Sequence, residues 1–147
     1  MRRETKYVVL LILTCLVSVG LAAYTIYEWI PKLYNYGKIR VIGIEVYAGA
    51  DLTRILDIID WGILDPGENR SHPAWIKNIG NDAQKLVMWT EAWDPVNGSD
   101  WIFLSWDYVG AWIQVNASIP VVFTLSVDPN IENITSFRFD IWVKGVH

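Results

Sequence analysis

The amino-acid sequence predicts an all-β fold, an antiparallel β-sandwich, preceded by a single N-terminal transmembrane helix. Three observations predict it: one long uncharged stretch near the N-terminus, a series of short strand-like segments after that stretch, and turn signals about every eight to twelve residues. A chain of 147 residues has room for one domain and an anchor.

The predicted anchor is an apolar stretch close to the N-terminus. Tyr7 to Tyr27 contains no charged residue, and a helix of that length spans about 30 Å, enough to cross the hydrocarbon core. Arg2, Arg3 and Lys6 precede it, so the positive-inside tendency predicts a cytoplasmic N-terminus. The predicted organisation is a cytoplasmic segment 1–6, a transmembrane signal anchor 7–30, a juxtamembrane linker 31–37 and an extracytoplasmic domain 38–147.

A cleaved signal peptide is the alternative interpretation of the same stretch. Its cleavage site would follow Gly20-Leu21-Ala22. The apolar run continues past that point without a polar region, which favours a retained helix. Both interpretations export the domain, so they differ in tethering and not in compartment.

Strand-like segments rich in β-branched and aromatic residues fill the rest of the chain. Segment 54–61 is compatible with a strand or a short helix, and segment 112–115 is expected to be short and peripheral. The predicted segments are 38–48, 54–61, 74–79, 84–93, 101–108, 112–115, 120–127 and 137–143.

The last two segments show the clearest alternation of apolar and polar residues. In 120–127, one face is expected to hold Val121, Phe123, Leu125 and Val127. In 137–143, one face is expected to hold Phe137, Phe139, Ile141 and Val143, with Arg138, Asp140, Trp142 and Lys144 opposite. A period of two indicates strands with one buried and one solvated face, as in a sandwich of seven or eight short strands.

Several segments, in order, resemble a known family. They are Asp60-Trp61-Gly62-Ile63-Leu64-Asp65-Pro66-Gly67, Ile76-Lys77-Asn78-Ile79-Gly80-Asn81, Trp93-Asp94-Pro95, Leu104-Ser105-Trp106-Asp107-Tyr108, 120–127 and Phe137-Arg138-Phe139-Asp140-Ile141. Over about residues 38–145 the chain resembles a largely uncharacterised family of small membrane-anchored immunoglobulin-like β-sandwich proteins, common in archaea. The resemblance implies fold and location, and it brings no catalytic residues.

Composition excludes several classes of function. From Lys32 onward there are nine Lys and Arg against fourteen Asp and Glu, so the domain is acidic and lacks the basic surface of a nucleic-acid-binding protein. The single cysteine, Cys15, permits neither an internal disulfide nor a cysteine-based zinc site. His72 and His147 assemble no catalytic triad or metal triad, so we expect no enzyme activity and no cofactor.

Four aspartates are the remaining candidates for a metal site. Calcium prefers several carboxylate oxygens, but the sequence lacks the Asp-x-Asp-x-Asp-Gly loop that gathers them. We therefore predict that they cap turns and solvate the surface. They are Asp57, Asp60, Asp65 and Asp107.

Four Asn-x-Ser/Thr sequons lie in the exported part, in predicted loops or strand ends. Clustering of sequons on that side of the anchor predicts an N-glycosylated surface domain, with turn asparagines as the alternative. The candidate sites are Asn69, Asn97, Asn116 and Asn133.

Tryptophan is abundant, with nine residues. Most of those after the linker are expected to fill the core. Trp142 is the exception, because its strand neighbours Asp140 and Lys144 are expected to face outward with it. An exposed Trp is a common interface anchor, so Trp142 is the predicted contact residue. The other core candidates are Trp75, Trp89, Trp93, Trp101, Trp106 and Trp112.

These observations predict a non-catalytic, membrane-tethered domain acting in surface adhesion, binding or assembly, with the lipid bilayer and a protein partner or further copies of itself as its partners. One alternative is a structural subunit of an extracellular filament or envelope, since a free sandwich edge accepts a neighbour's strand. The others are a single-pass accessory subunit of a membrane complex and a carbohydrate-binding module, which requires several exposed, coplanar tryptophans.

Overall fold

A computed structural model of the protein describes residues 35–147, which belong to one compact unit. The predicted cytoplasmic segment 1–6, the predicted transmembrane helix 7–30 and residues 31–34 of the predicted linker lie outside the described residues. From residue 35 onward, no helix has the length and apolar character needed to cross a bilayer.

Strands dominate the described part of the chain, which confirms the all-β prediction. In chain order the elements are β1 Tyr36–Ile42, β2 Ile44–Tyr47, β3 Ile58–Asp60, β4 Asn69–Asn78, β5 Lys85–Asp94, a short 3₁₀ helix Val96–Asp100, β6 Ile102–Trp106, β7 Ser118–Val127 and β8 Arg138–Val146. Segment 54–61 contributes β3 and a single bridge between Ile55 and Tyr47, and segment 112–115 contributes a single bridge between Ile113 and Gln84.

The strands form two four-stranded sheets. Sheet A has the order β3-β1-β8-β5 and sheet B the order β2-β4-β7-β6. Every pair is antiparallel except β1 with β8, which run parallel from Tyr36↔Arg138 to Ile42↔Lys144. The expectation of a purely antiparallel sandwich is therefore wrong at this pair. No hairpin joins these two strands, so nothing in the connectivity forces them to run in opposite directions.

The predicted single strand 38–48 is two strands in two different sheets. β1 starts at Tyr36, inside the predicted linker, and ends before Gly43. Gly43 has a φ of 72°, a left-handed conformation that a residue without Cβ adopts at little cost. The turn also shifts the alternation: Ile39 is buried from sheet A, whereas Ile44 is buried from sheet B.

One hydrophobic core fills the space between the sheets. The alternation predicted for the last two strands is confirmed, because every residue of both predicted apolar faces is buried. Burying each such side chain contributes about 1.5–3 kcal/mol. The largest fully buried side chains are Trp61, Phe123, Phe139, Ile44, Ile59, Ile76, Ile102, Ile113, Leu125 and Ile141.

Two buried asparagines, one at each end of the sandwich, form side-chain hydrogen bonds to the backbone of neighbouring loops. At the proximal end, where β1 begins, the Asn35 amide donates to the Gly62 carbonyl (2.9 Å) and accepts from the Phe137 N–H (3.2 Å). At the distal end, where β8 finishes, Asn78 is fully buried and its side chain makes three hydrogen bonds. Each amide thus supplies hydrogen-bond partners to backbone groups of the loops.

Candidate functional site

The outer face of sheet A carries two tryptophan rings. Ile141 and Val143 are fully buried, so Trp142 between them points to the opposite side of β8, as predicted. Trp142 lies directly across the antiparallel ladder from Trp89 of β5. The two rings stack with centroids 5.6 Å apart and planes 6° apart. We call Trp89 and Trp142 the tryptophan pair; both rings are half-buried.

Neighbouring side chains hold the tryptophan pair in position. The Trp89 indole N–H donates to Glu91 Oε1 at 2.9 Å, which fixes the ring orientation. Val87, two residues before Trp89 on the same face, is 41% exposed and extends the apolar area. Stacking of this kind adds about 0.5–1.5 kcal/mol beyond burial, so the pair is a pre-organised apolar patch on a sheet face.

The stacked geometry bears on what the face can bind. Because the rings face each other, each covers one side of the other, which removes part of the flat area on which a sugar stacks. The exposed Trp112 is not part of this stack; it lies in the loop between β6 and β7, with the Lys85 amine 4.9 Å from its ring centroid. The arrangement therefore suits an interface anchor better than a carbohydrate platform.

Charged side chains border the tryptophan pair along the strands. On the distal side, Lys144 of β8 lies opposite Val87 of β5. On the proximal side, Asp140 lies opposite Glu91, and Lys38 of β1 follows in register with Asp140. The tryptophan pair thus lies between two borders of different charge. The distal border is basic, and the proximal border carries two carboxylates and one amine.

A β-bulge shapes the proximal end of the same face. The β5–β8 register shifts between Glu91 and Asp94, and Ala92 has a φ of 54°, a left-handed conformation that costs a non-glycine residue about 1 kcal/mol. Arg138 pairs with Asp94 at 2.7 Å. A hydrogen bond with Tyr36 and the Asp94 charge raise the pKa of Arg138. The bulge borders a depression of about 510 Å³ lined by Tyr36, Lys38, Ala92, Trp93, Asp94, Val96, Arg138, Phe139 and Asp140.

The prediction that most tryptophans fill the core is wrong. The six core candidates lie at sheet edges and on outer faces, where an amphipathic indole is half-covered without being enclosed. Trp93, Trp101 and Trp106 pack against the core from its margin, Trp75, Trp89 and Trp142 are half-buried, and Trp112 is exposed. Among residues 35–147, the fully buried tryptophan is Trp61, just after β3.

The four sequon asparagines are all exposed. Asn69 is the first residue of β4, Asn97 lies in the 3₁₀ helix, and Asn116 and Asn133 lie in loops with φ of 60°, which asparagine tolerates well. Sheet A contains none of them, so glycans at these positions would leave its outer face uncovered.

The carboxylates do not gather into a metal site. Among residues 35–147, no group of three His, Cys, Asp or Glu side chains is arranged to hold a metal ion. Asp60 instead accepts the Gly62 N–H at 2.9 Å, and Asp107 accepts the Val122 N–H at 2.8 Å. The Asp60 bond, to backbone two residues on, is the role that turn chemistry predicts, whereas Asp107 binds the backbone of β7 fifteen residues away.

The sequence interpretation missed part of this site. Trp89 was expected in the core, although Val87, Trp89 and Glu91 share one face of β5 and Leu86 is buried on the other. That alternation was the available signal. The pairing of Trp89 with Trp142 had no such signal, because the register between β5 and β8 is set by the fold.

Comparisons with known proteins identify no relative. The chain matches no known protein family, no curated protein and no solved structure. The functional interpretation of the outer face of sheet A therefore rests on its own residues and their geometry.

Proposed function

We propose that this protein is a membrane-tethered, extracytoplasmic and non-catalytic domain that acts in surface adhesion, binding or assembly. The observation that carries the proposal is the tryptophan pair, an ordered aromatic patch on a solvent-facing sheet with charged borders. Aromatic residues surrounded by polar neighbours are the usual anchors of protein interfaces. The outer face of sheet A is the proposed contact surface.

An immunoglobulin-like sandwich is the finer fold that we propose. The supporting feature is the pairing pattern: β4 pairs with β7 in one sheet, β5 pairs with β8 in the other, and β6 borders β7. Immunoglobulin-type domains pair their B and E strands in one sheet and their C and F strands in the other. Under this interpretation β1 takes the position next to β8 that a last strand would otherwise fill.

The proposed tether and compartment rest on the sequence of the first thirty residues. An uncharged stretch from Tyr7 to Tyr27 is tolerated by a lipid interior, and the basic residues before it favour a cytoplasmic N-terminus. The exposed sequon asparagines are compatible with an exported domain.

Topology is tested on intact cells. Protease added outside is expected to remove the domain, and carbonate washing is expected to leave the full-length chain in the membrane. A domain that survives protease on intact cells but is cleaved after lysis would contradict the proposed compartment. Release of the full-length chain by carbonate would contradict the tether.

Binding is tested by capture of partners from gently solubilised membranes, read by mass spectrometry. Trp142→Ala is expected to abolish capture of a stoichiometric partner or of a second copy of the chain, because it removes half of the tryptophan pair. Trp75→Ala is the matched control, since Trp75 is also half-buried but lies on the outer face of sheet B, between the buried Ala74 and Ile76. Equal capture by both variants and the wild type would contradict the proposed contact surface.

A further inference from the structure

We propose that the outer face of sheet A packs against the same face of a second copy, across a two-fold axis that runs along the row joining Trp89 and Trp142. This inference rests on the proposed function, because it names the occupant of the proposed contact surface. Isologous two-fold contacts are the commonest way in which identical chains associate.

The charge pattern around the tryptophan pair selects a second copy as the occupant. The distal border is basic at Lys144, whereas the proximal border carries two carboxylates, Asp140 and Glu91, and one amine, Lys38. A two-fold axis along the tryptophan row reverses the strand direction of the second copy. Each basic border then faces an acidic border, so one surface carries both halves of a complementary contact.

Residue by residue, this axis keeps β8 over β8 and β5 over β5. Lys144 then faces Asp140 of the partner subunit, and the same pair recurs on the other side of the axis. Val87 faces the partner's Glu91. A carboxylate has two oxygens, so the contact that Asp140 makes within its own domain is compatible with a further contact to Lys144 of the partner subunit.

The other two-fold axis within the plane of the face is disfavoured by the same charges. An axis parallel to the strands keeps the distal and proximal ends aligned and exchanges β5 with β8. Asp140 would then face the partner's Glu91, and Lys144 would face the partner's Val87. Like charges brought together in an interface are costly, so the charge pattern discriminates between the two dimers.

The size of the face predicts how tight the dimer is. Four strands about 4.8 Å apart and about seven residues long, at about 3.3 Å per residue, give a face of about 19 by 23 Å. That is about 440 Å² of flat area per copy, in the range of weak and transient interfaces. We therefore expect a weak dimer that forms at high protein concentration.

Two features of the described residues are compatible with such packing. The four sequons avoid the strands of sheet A, so glycans at these positions would not lie between two copies. The rings of the tryptophan pair are already stacked and hydrogen-bonded, so little side-chain ordering is needed on association.

The test is a charge exchange in the full-length chain, purified in a mild detergent. Mass is measured by sedimentation over a range of protein concentrations. Lys144→Glu and Asp140→Lys are each expected to weaken self-association at least about tenfold, because each sets like charges opposite one another twice per dimer. The double variant K144E/D140K restores both pairs, and so does an equimolar mixture of the two single variants. Both are expected to dimerise like the wild type.

Arg54→Glu is the matched control, because it reverses the charge of an exposed residue that follows β2 and does not belong to sheet A. It is expected to leave the dimer unchanged, while Trp142→Ala is expected to abolish it. Far-ultraviolet circular dichroism and melting temperature verify that every variant is folded. A dimer that persists in both single charge variants, or a double variant and a mixture that stay monomeric, would overturn the proposed axis.

The same variants separate this inference from the proposed function. If the wild type is monomeric at all concentrations but Trp142→Ala still loses a different captured protein, self-association is overturned and the contact surface stands. If Trp142→Ala changes neither self-association nor capture, both proposals are overturned.

Discussion

The buried amide of Asn78 is expected to be one of the main polar determinants of stability. Its Nδ2 donates to the carbonyls of Asp82 (2.8 Å) and Ile113 (3.0 Å), and its Oδ1 accepts from the Gly80 N–H (2.8 Å). Each such hydrogen bond contributes about 1 kcal/mol net. The Ile113 carbonyl keeps a second donor, the Gln84 N–H at 3.0 Å. Of the three Asn78 hydrogen bonds, the one to Ile113 is therefore expected to contribute least to the loss of stability.

Asn78→Ala is therefore expected to lower the free energy of unfolding by about 2–3 kcal/mol. For a domain of this size that corresponds to a fall in Tm of about 8–12 °C. The measurement is thermal unfolding of the full-length chain, followed by tryptophan fluorescence. Asn81→Ala in the same loop is the control, because Asn81 is exposed. It is expected to change stability by less than about 0.5 kcal/mol.

A second substitution distinguishes hydrogen bonding from space filling. Asn78→Asp keeps the size and the acceptor for Gly80 but sets a carboxylate oxygen against the carbonyls of Asp82 and Ile113. It is expected to destabilise the domain at neutral pH at least as much as alanine does, because the second oxygen of the buried carboxylate faces two carbonyls and has no donor. Near wild-type stability for Asn78→Asp, or equal Tm values for Asn78→Ala and Asn81→Ala, would refute the reasoning.

Two further predictions concern a close contact and an acid-sensitive group. A Cβ on Gly145 would stand 1.9 Å from Gln84 Oε1. Gly145→Ala is therefore expected to lower the free energy of unfolding by about 1–3 kcal/mol, measured by urea unfolding. Adding Gln84→Ala should recover most of that loss. Hydrogen bonds from the Asp65 backbone N–H and then from Arg70 lower the pKa of Glu68 below its ordinary value of 4.5. The ionised Glu68 therefore stabilises the folded state above pH 4.5, and this stabilisation is lost as the pH falls through the lower folded-state pKa. Glu68→Gln should therefore lose less stability on acidification than the wild type; an unchanged acid transition would contradict this.

The strands themselves were predictable from local alternation. In β7 and β8, apolar residues at every second position face the core, because successive side chains of a strand point to opposite sides. Alternation carries no information on which strand lies beside which, so the parallel pairing of β1 with β8 could not be predicted. The change of sheet at Gly43 had no clear signal either, because β-branched residues continue on both sides of this glycine, so that segment 38–48 resembles one strand.

The site was predictable to the extent that orientation follows from sequence. Trp142 lies between Ile141 and Val143, and its outward direction follows from their burial. The stacking of Trp89 on Trp142 depends on the register between β5 and β8, two strands that are far apart in the sequence. The buried Asn35 and Asn78 gave no signal either, because asparagine is mostly exposed and their partners are loop backbone groups.

The parallel pairing of the first and last strands also determines how the domain carries a load. Tyr36 and Val146 lie at opposite ends of the adjacent strands β1 and β8. Tension applied between these two residues acts along the strands, so the ladder between Tyr36↔Arg138 and Ile42↔Lys144 resists in shear, with its hydrogen bonds strained together instead of opening one after another. A domain stretched between these two residues is expected to stay folded until the β1–β8 hydrogen bonds break together.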